Sequence, residues 1–153
     1  MATKGIAARG TLLQRKVAEA FVTIAEVRTI AGPNMSTDTV DLTSHDSVDS
    51  YREKAADLKD PGQVNVTGNL VLRRETTLTD PSHDQLLTDF SSGDVNEYRI
   101  IFPNHNVLEE CTKWFFDAMV TEFATTANVG ESVGFSAQFT ISGKTFLGVT
   151  KPT

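Results

Sequence analysis

Two stretches of this chain alternate apolar and polar residues almost without interruption, and that period-two pattern restricts the fold more than any other feature. In residues 63–72, Val64, Val66, Leu70 and Leu72 fall on one side and Gln63, Asn65, Thr67 and Asn69 on the other. In residues 131–143, Val133, Phe135, Ala137, Phe139 and Ile141 alternate with Ser132, Ser136, Gln138, Thr140 and Ser142. Successive side chains of a strand point to opposite faces, so each run predicts a strand with one buried face. Composition leans the same way: 20 Thr, 14 Val and 6 Ile are β-branched residues that fit pleated, half-buried surfaces.

The rest of the chain supplies more strands and one helix. Residues 19–30 (EAFVTIAEVRTI) read as a strand with apolar residues on both parities, ended by Gly32-Pro33. Residues 38–42 predict a short strand, and 96–103 a strand closed by Pro103. Segment 107–126 fits two periods: Leu108, Cys111, Phe115, Met119 and Phe123 suit a helix face, and Trp114, Phe116, Ala118 and Val120 a strand face. Its threonines and aromatics favour a strand over 113–125. Residues 80–92 predict a helix, with Asp80 as N-cap, Pro81 first in the helix, Gly93 just past the end, and Leu86, Leu87 and Phe90 as the apolar stripe. Residues 43–62 show no sustained period and predict a long loop with one or two helical turns between Tyr51 and Leu58. Six or seven strands and one helix predict an all-β-dominated fold: an antiparallel β-sandwich or barrel with one short flanking α-helix.

At 153 residues the chain is one domain, able to bury on the order of 70% of its unfolded surface. One cysteine, Cys111, excludes an internal disulfide framework and a cysteine-based structural zinc cluster. No run approaches the ~18 apolar residues of a membrane span, and the N-terminus has no apolar segment after its charges, so neither a membrane partner nor a cleaved signal is expected. The net charge of −6 argues against tight nucleic-acid binding. That charge is uneven. Residues 1–16 carry Lys4, Arg9, Arg15 and Lys16 and no acid, which leaves ten basic and twenty acidic groups, a balance of −10, in the rest. A basic arm on an acidic body suits contact with a neighbour.

Catalytic chemistry finds little support. Gly130-Glu131-Ser132-Val133-Gly134 matches the nucleophile elbow literally, but Ser132 opens a strand, and His45, His83 and His105 all lie upstream. No two histidines stand at i, i+4, and Asp38, Asp41, Asp46 and Asp49 lack the calcium-loop pattern. No enzymatic activity, metal or cofactor is expected. The uncharged outer faces of 63–69 and 132–142 are more informative, because ordinary solvent faces of strands carry Lys, Glu and Arg. Small neutral polar residues suit a close-packed interface or a smooth wetted wall.

The run VDLTSHDS (40–47), followed by Tyr51-Arg52-Glu53 and LKDPGQVNVTGN (58–69), resembles the major tail tube protein of long-tailed, non-contractile bacteriophages. Later matches agree in order: Tyr98-Arg99-Ile100 with Phe102-Pro103, Trp114-Phe115-Phe116 with Val120-Thr121 and Phe123, and Phe135 to Ile141-Ser142-Gly143-Lys144. The resemblance covers residues 19–147. It divides the chain into an N-terminal arm (1–18), a tail-tube β-sandwich (19–147, with the long loop 43–62) and a C-terminal tail (148–153).

The resemblance implies a structural subunit of the virion, made in the host cytoplasm. It implies homohexameric rings that stack into a tube, enclose a tape-measure protein, meet tail terminator and baseplate or tail-tip proteins, and conduct DNA in transit. Gln63, Asn65, Thr67, Asn69, Ser136, Gln138 and Thr140 are then expected to face the lumen. Lys4, Arg9, Arg15, Lys16, His45, Asp46, Tyr51, Arg52 and Glu53 are expected to make inter-subunit contacts. The alternatives are the tube subunit of a contractile tail or secretion apparatus, a soluble β-sandwich binding module, and a hydrolase using Ser132.

Overall fold

A computed structural model describes residues 5–70 and 81–151. Its strands are β1 (Leu12–Val17), β2 (Ala20–Thr23), β3 (Val27–Ala31), β4 (Ser36–Asp41), β5 (Lys54–Asp60), β6 (Gln63–Asn69), β7 (Asn96–Ile101), β8 (Lys113–Thr126), β9 (Gly134–Ile141) and β10 (Phe146–Gly148), with the helix α1 (Pro81–Ser92) between β6 and β7. Eight strands form one antiparallel sheet in the order β2-β1-β7-β8-β9-β6-β3, with β10 added alongside β8. β4 and β5 pair as a separate two-stranded ribbon.

The sheet folds over along β8, the longest strand. Residues 113–118 of β8 pair with β7, and residues 118–126 pair with β9, with a bulge between Val120 and Glu122. A bulge bends its strand and increases its twist. β3, at the far end of the order, returns close to β1, so the sheet is rolled nearly shut. Inside lie Leu13, Val64, Val66, Tyr98, Ile100, Phe116, Ala118, Val120, Phe135, Ala137, Phe139 and Ile141. The edge of Tyr98 meets Phe139, with centroids 4.8 Å apart. Each large apolar side chain buried here contributes roughly 1.5–3 kcal/mol relative to exposure.

Both alternating segments are strands with the expected face buried: Val64 and Val66 from β6, and Phe135, Ala137, Phe139 and Ile141 from β9. The strand expected over 113–125 is β8. Leu72 and the expected N-cap Asp80 lie outside the described residues. Gly62 makes the turn from β5 to β6 at φ +82°, where a Cβ would press into the Asn34 carbonyl, so only glycine fits without displacement.

Four expectations need correction. The single strand at 19–30 is two, β2 and β3, because Glu26 takes a left-handed conformation (φ 57°) between them. The helical turns expected between Tyr51 and Leu58 do not form: Lys54–Asp60 is β5, held in register by β4. The long loop 43–62 therefore shortens to the ribbon apex between Asp41 and Lys54. Leu12–Val17, assigned to the N-terminal arm, is β1 in the main sheet, paired with β2 and β7 and anchored by fully buried Leu13.

The fourth correction concerns the face of α1. His83, Leu86 and Asp89 are buried, and Leu87 and Phe90 are exposed. The stripe runs at i, i+3, i+6 and is mostly polar because each polar member has a partner in the sheet region. The His83 ring nitrogen Nε2 lies 2.8 Å from the Ala25 carbonyl oxygen, and its ring packs 4.7 Å from Phe135. Asp89 accepts bonds from Arg15 and Tyr98.

Candidate functional site

The outer face of the β6–β9 pair is built by register. Gln63 sits opposite Thr140, Asn65 opposite Gln138 and Thr67 opposite Ser136. β3 extends the face with Thr29 and Ala31, opposite Thr67 and Asn65. β8 extends it on the other side with Met119, Glu122 and Ala124, opposite Thr140, Gln138 and Ser136. The seven residues singled out by alternation therefore lie together on one surface, with Glu122 as the acid that the flanking strand adds.

Side-chain hydrogen bonds tie this surface together. Gln138 donates to the Gln63 side chain. The hydroxyls of Thr121 and Thr140 are 3.0 Å apart. Ser132 donates to Asn69 Oδ1 at 2.9 Å, and Asn69 donates to Glu26 at 3.3 Å. Cross-strand polar pairs of this kind hold side chains in the plane of the wall. Ser132, the serine of the elbow motif, is thus part of this surface lattice at the entrance to β9.

The surface has open ends. Ala118 bonds β7 on one side and β9 on the other, so the two neighbours occupy opposite edges of β8. Beyond Ala118, no strand among the described residues pairs with the edge of β8 that faces away from β9. The outer edge of β3 is likewise unpaired by any strand among the described residues. Unpaired edges template further strand pairing.

A second surface is the β4–β5 ribbon. Every residue of both strands is exposed. Its apolar side chains include Leu58 (80% exposed), Tyr51 (75%) and Val48 (70%), with Leu42 and Val40 nearby. The apex is nevertheless organised: the Leu42 amide donates to the Glu53 carbonyl at 2.7 Å, the Glu53 amide to Thr43 Oγ1 at 2.8 Å, and the Ser44 amide to Ser47 Oγ at 2.9 Å. Hydrogen bonds from Thr43 hold the Asp41 carboxyl below its ordinary pKa. His45, Asp46, Tyr51, Arg52 and Glu53 all lie on this apex, exposed.

The N-terminal cations divide. Lys4 lies outside the described residues, and Arg9 is exposed. Arg15 is spent inside the chain: its side chain is 12% exposed and grips Asp89. Burial opposes its charge, yet the Asp89 bonds outweigh that and raise its pKa. Burial, then Asp89, pushes the Tyr98 phenol up as well, so it stays a donor. Lys16 lies 3.5 Å from Glu97, which also pairs with Lys151 at 3.0 Å. Leu87 and Phe90 are exposed although their spacing with Leu86 also fits a buried helix face, and Leu58 is exposed in a segment whose sequence shows no period.

A family model described as lambda phage tail tube protein matches residues 7–148. No curated protein sequence matches the chain. Among solved structures, the tail of an empty gene transfer agent (GTA) particle, refined with C6 symmetry, is similar with a TM-score of 0.67 and 18% identity, covering 93% of this chain and 98% of that one. The SPP1 tail tube gives 0.64 and 12%, covering 90% and 74%. The anti-feeding prophage baseplate gives 0.69 and 12%, covering 99% and 100%. At these identities the likeness is one of fold.

Proposed function

As a member of the lambda phage tail tube protein family, the chain is a structural subunit of a phage tail, and we propose that it closes into hexameric rings that stack into a hollow tube. The observation that carries this reading is the uncharged outer face of the β6–β9 pair, flanked by β3 and the distal half of β8, whose outer edges no strand among the described residues pairs. Edge-to-edge pairing of β3 in one subunit with the free edge of β8 in the next makes a heterologous contact. Heterologous contacts whose rotation closes give rings, and closure covers both of these edges in every subunit.

In that ring Gln63, Asn65, Thr67, Asn69, Ser136, Gln138 and Thr140 face the lumen. On this wall Gln63 and Gln138 bond one another, Thr140 and Asn69 bond neighbouring side chains, and none of the seven is a lysine or arginine. DNA phosphates crossing such a surface release no counterions to cations and are not held. The same lumen encloses a tape-measure protein before DNA passes. An open stack ends in unsatisfied ring surfaces, which terminator and baseplate or tail-tip proteins cover. Arg9 and the ribbon apex, with His45, Asp46, Tyr51, Arg52 and Glu53, supply inter-subunit contacts; Arg15 and Lys16 serve the subunit's own packing.

The test is electron microscopy of the concentrated protein combined with cysteine labelling. Sixfold hollow tubes are expected. Asn65→Cys and Gln138→Cys subunits should react with a bulky maleimide before assembly and be protected afterwards. Tubes whose polar β6–β9 face lies on the outside would overturn the assignment.

A further inference from the structure

The two unpaired edges that flank the polar wall each carry a single charge, and the two charges are opposite. Arg28 is the one ionisable residue of β3, and Glu122 is the one in residues 118–126 of β8. Both are exposed. No hydrogen bond or ion pair among the described residues engages either side chain. We propose that Arg28 of one subunit pairs with Glu122 of the next across the β3–β8 seam, and that this pair selects ring closure over two-fold dimerisation. The inference rests on the tube reading above and names the residues that decide which edge meets which.

Strand direction permits the seam. β3 runs antiparallel to β6, β6 to β9 and β9 to β8, so three reversals leave β3 and β8 opposed. Copies set side by side in one axial orientation therefore continue the antiparallel ladder. Register brings the charges together. Ala31, Asn65, Gln138 and Glu122 form one row across the sheet. Without stagger, the next copy's Glu122 faces Ala31, three residues or roughly 10 Å from Arg28. Strands of a closed barrel are staggered, and only even steps keep the polar residues on one face. A step of two or four residues toward Arg28 sets that carboxylate opposite Thr29 or Val27, the neighbours of Arg28, within reach of the guanidinium.

Both charges stand at irregularities in their strands. β3 shifts register between Val27 and Thr29, which leaves Arg28 without a partner on β6, and β8 shifts between Val120 and Glu122. A bulge re-aims the side chain it carries. The face between the two edges is hollowed as well: a depression of about 670 Å³ extends from Arg28 and Thr29 across Thr67 and Ser136 to Thr126. A wall concave on its polar side turns its edges toward a common axis. If β3 met a second β3, or β8 a second β8, like charges would come together, and opposed like charges destabilise a strand pair. Only the β3–β8 contact satisfies both charges, and that contact is heterologous.

Charge reversal tests this. Arg28→Glu and Glu122→Arg place like charges at every seam, and each is expected to reduce sedimentable tubes by about tenfold or more. Thermal unfolding of each should match the parent, since both side chains are exposed. The double variant, Arg28→Glu with Glu122→Arg, should restore assembly, and so should mixing the two single variants, whose copies can alternate around a ring of six. Assembly undisturbed by either single reversal, or a folded double variant that does not recover, would overturn the pair. A parent protein that forms no rings or tubes would instead count against the tube reading itself. The uncharged variant, Arg28→Gln with Glu122→Gln, tests the selection: native mass spectrometry should show dimers beside the rings. Rings without dimers would overturn the claim that the charges exclude two-fold pairing.

Discussion

Arg15 of β1 grips Asp89 of α1 with both ends of its guanidinium fork, Nε 2.6 Å from one carboxylate oxygen and Nη2 2.9 Å from the other. Tyr98 of β7 donates to the same carboxylate at 2.7 Å, and Gln85 at 3.1 Å. Four donors from two strands and the helix itself therefore converge on one carboxylate, whose side chain is 3% exposed. This junction fixes α1 against the sheet.

Removing one partner strands the other. Arg15→Ala leaves Asp89 charged and buried with neutral donors only, and should cost about 3 kcal/mol, the scale for breaking a buried pair. Chemical denaturation would show it. A double-mutant cycle with Asp89→Asn should return a coupling well above the ~0–1 kcal/mol of a surface pair.

Lys113 is 1% exposed, and its ammonium donates to three carbonyls, those of Glu109 (3.1 Å), Cys111 (2.9 Å) and Val149 (3.0 Å). Lys113→Met keeps the stem and removes the donors. Unsatisfied buried acceptors cost roughly 1–3 kcal/mol each when no water replaces the bond. The variant should therefore unfold at markedly lower denaturant, and hydrogen exchange at 146–149 should accelerate. Unchanged exchange there would contradict the role given to Lys113.

Glu97 predicts an acid response. Burial pushes its carboxyl up, but Lys151 and Lys16 outweigh that and hold it below the ordinary value. A carboxyl with a depressed folded pKa stabilises fully above its unfolded pKa, near ~4.3, and that contribution is lost as pH falls through the folded value. Acidification through this window should release Lys151 and raise hydrogen exchange near the C-terminal end. In Glu97→Gln the acid step should vanish, with exchange already raised at neutral pH.

The polar wall can be probed with charge. Asn65→Lys with Gln138→Lys places cations on the β6–β9 face without touching the core, so subunit stability should change by less than about 0.5 kcal/mol. Tubes should form, and genome ejection should slow in a way that added salt reverses. Ejection at the parental rate would place this face away from DNA.

Much of the fold was legible because half-buried strands write themselves as alternation. β6 and β9 each have one face against the core and one against solvent, so Val64 and Phe139 announce the period. β5 did not: all seven of its residues are exposed, so nothing partitions them, and only pairing with β4 defines it. α1 misled for the opposite reason. His83 and Asp89 are buried by partners 58 and 74 positions away, a separation that no local pattern encodes. Arg15 looked like a free cation for the same cause. The polar wall itself was readable, since both its strands carry it in plain alternation. Its flanking residues, Thr29 and Glu122, required the register.

The unbroken course of β8 has a mechanical consequence. One half is bonded to β7 and β10, and the other to β9. A pull applied to the β7–β10 part of the sheet therefore passes into the β9 part through the covalent backbone of β8 rather than through packed side chains. Its neighbours resist by shearing rows of backbone hydrogen bonds at once, instead of peeling them one after another. Bending strain in a filament of such subunits then falls on the joints between copies, and each unit travels as a stiff bead.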